Sequence, residues 1–116
     1  MDIYHVWCDL KPGVSDLTFS ERVADYMSYL KSRGLIENWR LMRRKLGLAP
    51  AEFHEFHLMI ETNGLQQLES AFEHVASRRE PAEGIHFGVN SLATNVRFAL
   101  YRDFPDDFRQ RGEEKF

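Results

Sequence analysis

Cysteine is almost missing from this chain: Cys8 is the only one. A lone thiol cannot close an intramolecular disulfide, so the fold must rest on its hydrophobic core, and the chain suits a reducing cytoplasm. No apolar run approaches the roughly 20 residues of a membrane-spanning helix. Met1-Asp2-Ile3-Tyr4-His5 also lacks the basic and apolar regions of a signal peptide. An excess of positive charge is lacking too. Lys and Arg number 15 against 18 Asp and Glu, a net charge of -3, which argues against nucleic acid as a partner because non-specific binding rests on phosphate neutralisation. Internal repeats, low-complexity tracts and linkers are absent. What remains is a cytoplasmic globular protein with neither membrane nor nucleic acid as partner.

What is present suffices for one domain, residues 1–116, with 43% hydrophobic and 13% aromatic residues. Such a chain buries roughly two thirds of its unfolded surface. Its organising stretch is Glu37–Glu61. Glu37–Leu46 and Phe53–Glu61 read as two strands around a loop bearing Gly47 and Pro50. With Leu46 and Phe53 closing the loop, the antiparallel register follows by counting. Arg44 faces Glu55, Met42 faces His57 and Arg40 faces Met59 on one side; Arg43 faces Phe56, Leu41 faces Leu58 and Trp39 faces Ile60 on the other. One side is a hydrophobic ladder, and a one-residue slip would exchange every side chain's face, so the register is physically distinguished.

The other elements fall around this hairpin. Ile3–Leu10 is rich in β-branched and aromatic residues and stops at Lys11-Pro12-Gly13, a strong turn signal. Phe19, Val23, Tyr26, Met27 and Leu30 make a helical stripe within Asp16–Arg33, with Gly34 a natural stop. Thr18 and Glu21 have capping-box spacing, and Ser15 and Asp16 compete as caps. Leu65, Leu68, Phe72 and Val75 form a second stripe after Thr62-Asn63-Gly64. Pro81–Ser91 reads as a loop or irregular approach to the sheet, with His86 and Asn90 placed to close a cavity or to cap a turn. Asn95–Arg102 alternates as the last strand, and Asp103–Phe116 is a charged tail carrying Phe104, Phe108 and Phe116.

The order β-α-β-β-α-β is the ferredoxin-like split unit: an α+β fold with a four-stranded antiparallel sheet, order 4-1-3-2, and two helices on one face. The helices should receive Val6, Cys8, Leu41, Phe56, Leu58, Ile60, Val96, Phe98 and Leu100. The open face should carry His5, Trp7, Arg40, Met42, Arg44, Glu55, His57, Met59, Arg97 and Tyr101. Left bare, its Trp7, Met42, Met59 and Tyr101 would be an apolar patch that monomers seldom tolerate. A homodimer through this face is therefore expected, with the tail 103–116 packing on the partner chain.

Val6-Trp7-Cys8-Asp9-Leu10-Lys11-Pro12-Gly13, Arg43-Arg44-Lys45-Leu46-Gly47-Leu48, Glu55-Phe56-His57 and Ala99-Leu100-Tyr101-Arg102-Asp103-Phe104-Pro105 carry a further signal. Over nearly its whole length the chain resembles a small bacterial family of uncharacterised proteins in the dimeric α+β barrel superfamily. The resemblance implies a barrel formed between two sheets and holding a small ligand. Relatives at superfamily level include cofactor-free monooxygenases, haem-degrading enzymes, sugar mutarotases and muconolactone-type isomerases. It supplies no catalytic residue.

The residues themselves supply candidates. His5, His57 and Glu55 are the titratable set that a reaction would use, since a histidine near neutrality moves protons and a carboxylate beside a guanidinium stays ionised. Both histidines equally suit a polar dimer core. Arg40, Arg44 and Arg97 leave the face positive and would favour a small anionic ligand, unless they pair with acids of the partner. Trp7, Met42, Met59 and Tyr101 would line the ligand's surroundings. His54-Glu55-Phe56-His57 fails the helical zinc pattern, because a strand sends His54 and His57 to opposite faces. Neither metal nor other cofactor is expected, although His5, His57 and Glu55 could meet as three ligands. Cys8, facing the helices, reads as a core residue and not a nucleophile. The readings left are a cofactor-free isomerase or monooxygenase acting on a small anionic molecule, and a non-catalytic binding or structural homodimer.

Overall fold

In the computed structural model, which describes residues 1–112, the chain runs β1 (Asp2–Leu10), α1 (Asp16–Ser32), β2 (Asn38–Arg43), β3 (Phe56–Thr62), α2 (Leu65–Ala76), α3 (Ala82–Asn90) and β4 (Ala93–Arg102). The strands form one sheet of order β2-β3-β1-β4, antiparallel at every step. This is the α+β ferredoxin-like fold, with β1 and β3 in the middle as the sequence pattern requires. The hairpin register is also as counted: Trp39 lies opposite Ile60, Arg40 opposite Met59, Leu41 opposite Leu58, Met42 opposite His57 and Arg43 opposite Phe56.

Helix α1 starts where Ser15, not Thr18, caps it, its hydroxyl accepting from the Thr18 N–H at 3.3 Å. It stops through Gly34, whose φ of 69° is left-handed. There the Leu35 N–H donates to the Leu30 carbonyl and the Gly34 N–H to the Lys31 carbonyl, the paired closure that satisfies a helix's last acceptors. Its stripe of Phe19, Val23, Met27 and Leu30 is buried with Cys8, Ile36, Phe56 and Ile60. Val23 and Met27 are each only 1% exposed, which marks the densest part of the core.

Pro81–Ser91 departs from expectation, since Ala82–Asn90 is a helix and the sheet's cover is three helices. Two glycines in nine residues cost roughly 2 kcal/mol of intrinsic helix preference, which is why the pattern resembles a loop. Packing reverses the balance. Ala82 is buried, and α3 lies against α1. A side chain at Gly88 would sit 3.2 Å from the Arg22 guanidinium, which donates to the Gly88 carbonyl at 3.5 Å. Small residues thus permit the close helix–helix approach that stabilises α3.

The start of β1 is anchored on both sides. Thr62 donates from its hydroxyl to the Asp2 carbonyl at 2.9 Å, and both carboxylate oxygens of buried Asp2 accept from the Arg102 guanidinium. Arg102 reaches on to Asp106 at 3.1 Å, holding the tail's first turn. Phe104 and Phe108 are exposed, and Phe116 lies outside the described residues.

Candidate functional site: an apolar cavity and an open ring-bearing face

The helices do not cover the sheet evenly. Helix α1 packs over β2 and against α3, α2 touches β3 and α3, and none packs extensively on β4. Between the sheet and the helices lies a cavity of about 730 Å³, lined by residues of all four strands and all three helices. Tyr4, Val6 and Cys8 rise into it from β1, Val96 and Phe98 from β4, Tyr26 from α1, Phe72 from α2 and His86 and Asn90 from α3. Phe72 and Phe98 are each at least half exposed around it, although their sequence positions are core positions. A pocket of this volume, apolar with a few polar groups, is the usual form of a small-molecule site.

Those polar groups are specific. Among the described residues neither the Tyr4 nor the Tyr26 hydroxyl has a hydrogen-bond partner. Burial pushes the Tyr26 phenol up to about 12, with Tyr4 adding to the effect, and burial raises Tyr4 as well. Both stay protonated at neutral pH as hydrogen-bond donors. The His86 ring meets the Tyr26 ring edge-on, centroids 5.6 Å apart. Burial, helped by Asp9, pushes the Cys8 thiol up to about 11, so it remains a thiol and a weak nucleophile. The sequence offered a signal for both tyrosines, each a hydroxyl set on an otherwise apolar stripe. Neither Tyr4 nor Tyr26 was among the expected site residues.

The opposite face has a different character. His5, Trp7, His57 and Tyr101 come together in a row of rings. His5 Nδ1 and His57 Nε2 are 2.9 Å apart, Trp7 stacks on His57 at 4.5 Å, and Tyr101 meets His5 edge-on at 5.1 Å. Phe53, absent from the expected set, extends the row by stacking on Trp7 at 5.2 Å. Burial holds both imidazoles below their ordinary value, and His5 lowers His57 further. Arg40, Met42 and Met59 lie on this face by register, with Arg97 opposite Trp7.

Glu55 does not join them. The Arg44 N–H does donate to the Glu55 carbonyl at 2.8 Å, but the expected side-chain pair is not formed. Arg43, not Arg44, holds the Glu55 carboxylate at 2.7 Å and reaches Asp16 at 2.9 Å. Arg44 turns instead to the Phe53 carbonyl at 3.4 Å. The reason is that β2 ends at Arg43 and β3 begins at Phe56, so strict alternation no longer governs Glu55. Its carboxylate instead pairs with Arg43 at the end of β2, whose guanidinium also holds Asp16 at the start of α1. His5, His57 and Glu55 therefore do not assemble, and among the described residues no three His, Cys, Asp or Glu side chains converge as metal ligands.

This fold and this pair of surfaces define a member of the ferredoxin-like α+β class. Within it, a model for a family of unknown function, DUF6614, matches residues 1–116, and the chain belongs to that family. No curated protein sequence matches it. Among solved structures, it resembles a protein of Arabidopsis thaliana at TM-score 0.70 and 12% identity, covering 93% of this chain and 100% of that one. It resembles SnoaB, a cofactor-independent oxygenase from Streptomyces nogalater, at 0.65 and 8%, covering 93% and 98%. A dimeric protein of unknown function and ferredoxin-like fold from Bacteroides fragilis matches at 0.56 and 12%, covering 88% and 96%. At these identities the likeness is one of fold. Among the described residues no helix is long and apolar enough to cross a membrane.

Proposed function

We propose that the protein is a cofactor-free enzyme that binds a small, mostly apolar, carbonyl- or phenol-bearing molecule in the cavity between sheet and helices. The observation that carries this reading is the pair of unpartnered hydroxyls, Tyr4 and Tyr26, lining a cavity of about 730 Å³. Neither hydroxyl is sealed off as a buried unsatisfied group, so each is free to donate to a bound molecule. A substrate oxygen would accept that hydrogen bond. The Tyr26 O–H donating to a carbonyl oxygen stabilises the anion that develops when a neighbouring carbon loses its proton. His86 is placed to receive that proton. Returning it to another carbon is an isomerisation; giving the anion's electrons to dioxygen as co-substrate is an oxygenation. The substrate is anionic in its reactive form, and the printed activity of SnoaB fits the second branch.

The open face takes a second role, favoured by its ring row. It is the contact surface of a homodimer, in line with the dimeric neighbour of the same fold. An obligate interface would bury about 2,000 Å² or more, with the tail 103–112 packing on the partner. Arg40, Arg44 and Arg97 would face an anion held between the two sheets, with His57 and His5 as its proton-handling pair. Trp7, Met42, Met59 and Tyr101 would wall it. Glu55, bound to Arg43, has no part in this arrangement. If the cavity binds without turnover, the protein is a small-ligand carrier built on the same dimer.

The test is a thermal-shift screen of phenols, cyclic ketones and small carboxylates. A ligand at 100-fold excess over its Kd raises stability by about 2.7 kcal/mol. Tyr26→Phe should weaken phenols and ketones by about tenfold, one lost hydrogen bond to a developing charge. Hits unchanged in Tyr26→Phe and Tyr4→Phe but lost in Arg40→Ala or Arg44→Ala would place the site between the sheets instead. A monomer in sedimentation at micromolar concentration would remove the dimer.

A further inference from the structure

Neither the cavity nor the ring row uses the end of β1, where three departures from regular geometry coincide. The β1–β4 ladder slips between Trp7 and Asp9. Asn95, across the slip, is a non-glycine residue with a φ of 54°. His54, just before β3, lies outside the strand alternation. Bulges and left-handed non-glycine residues are retained where they re-aim a side chain. Here the side chain is Asp9. One oxygen of its carboxylate accepts from the Glu55 N–H at 3.0 Å; the other accepts from the Asn95 amide at 3.1 Å and from His54 Nδ1 at 2.8 Å. Burial alone would raise the Asp9 carboxyl, but these three donors outweigh it and keep it below its ordinary value.

A carboxylate held ionised on Nδ1 fixes the tautomer of the neutral imidazole, with the hydrogen on Nδ1 and the lone pair on Nε2. The His54 side chain keeps 20% of its surface exposed, and among the described residues Nε2 has no partner. Its neighbour in the chain, Phe53, stacks on Trp7 in parallel, 16° from coplanar. Arg44 lies against the Phe53 carbonyl at 3.4 Å, and Arg97 lies opposite Trp7 in the ladder. A proton acceptor one residue from a ring pair flanked by two arginines suits a flat molecule with an acidic hydroxyl.

We infer that Asp9, Asn95 and His54 form a second proton-transfer site, separate from the cavity, at which His54 Nε2 takes the O–H proton of a phenol. The O–H bond breaks, its electron pair stays on oxygen as phenolate, and the proton forms an N–H bond on Nε2. Asp9 stabilises the resulting imidazolium, and Arg44 and Arg97 the phenolate. Asp9 and Asn95 act through His54 and are positioning residues; His54 touches the ligand.

The probe is 4-nitrophenol, followed by phenolate absorbance and by ring-nitrogen NMR of the wild-type protein. The expected free-state spectrum shows His54 protonated on Nδ1, with Nε2 shifting as 4-nitrophenol is added, and phenolate forming at a pH below that of free 4-nitrophenol. His54→Gln should remove this site's share of the phenolate signal, and Asp9→Asn should weaken apparent affinity about tenfold, the loss of a charge-assisted hydrogen bond. Because the cavity also takes phenols through Tyr26, the His54 ring-nitrogen shift is the readout specific to this site, and Tyr26→Phe should leave that shift unchanged while lowering any phenolate signal from the cavity. A His54 tautomer with Nδ1 bare, or an Nε2 that does not shift as 4-nitrophenol is added, overturns the proposal. A His54 shift lost in Tyr26→Phe overturns it equally. The wild-type NMR decides the matter even if a variant fails to fold.

Discussion

Tyr4 and His5 are neighbours in sequence, yet they look into opposite worlds. Tyr4 faces the helices, among Phe72 at 5.2 Å and Phe98 at 5.8 Å, and lines an apolar cavity. His5 faces outward into a continuous run of rings and meets another imidazole. The covered face is thus half packed and half hollow, while the open face is flat and polar-aromatic. The helix side holds neutral groups that resist losing protons, and the open side holds neutral groups that resist gaining them. One central strand keeps the two chemistries a pleat apart.

The largest test of this contrast lies within the covered face. Met27→Ala should cost about 2–5 kcal/mol in chemical denaturation, as expected for a fully packed core methionine. Phe98→Ala should cost only about 1 kcal/mol, its stacking on Tyr4, because Phe98 is 62% exposed. Equal losses would mean the cavity is closed by packing. Next comes the anchor shared by both faces. Arg102→Ala leaves the buried Asp2 carboxylate uncompensated; with Arg102 itself 40% exposed, about 2–3 kcal/mol is expected, below the full cost of a buried pair. Arg102 holds Asp2 below its ordinary value of 3.8, so the pair's contribution is present above that pH and is lost as pH falls beneath it.

The two faces should also differ in the sign of their pH dependence. His5 and His57 have folded values below the ordinary 6.5. The unfolded chain then binds more protons below that pH, so their contribution is complete above it and is lost as pH falls. Cys8 and Tyr26, pushed up to about 11 and about 12, contribute fully below their ordinary values and lose it as pH rises above them. Denaturation midpoints across pH should therefore show an acid limb flattened by His5→Gln and an alkaline limb flattened by Cys8→Ala. If either substitution flattens the other limb, the assignment of groups to faces is wrong. The smallest effect is Arg44→Ala. Its exposed side chain makes one long contact to a carbonyl, and its removal should change stability by less than about 0.5 kcal/mol while reducing anion binding at the open face.

Much of this was legible from residues alone. The hairpin register followed from apolar residues that must share a face, since a slip would reverse all of them. The gathering of His5, Trp7, His57 and Tyr101 followed from alternation along three strands. What escaped was set by packing, not pattern. Helix α3 contains Gly84 and Gly88, which read as loop residues until the closeness of Gly88 to Arg22 of α1 is seen. Glu55 sits one residue outside its strand, where alternation lapses, and turns to Arg43. The cavity is hidden for a related reason: Phe98 and Leu100 have the spacing of core residues, and no periodicity tells that no helix arrives to cover them. The contacts of Asp9 with His54 and Glu55 join residues far apart in the chain across a bulge, a feature without a reliable sequence mark.

Strand β4 has a mechanical consequence. It forms one edge of the sheet, ladders to β1 alone, and carries no helix closely against its inner side. It behaves as a cantilever, clamped at its far end by the Arg102–Asp2 pair and weakened near its root by the slip beside Asp9. Bending such a beam moves Phe98, the half-exposed side of the cavity wall, more readily than buried Met27 or Val23 on the opposite wall, so the cavity can widen at little cost to the core. Local opening of this kind appears as early deuterium uptake. The amides of β4 should exchange well before those of β3, and a filled cavity should slow the first set far more than the second.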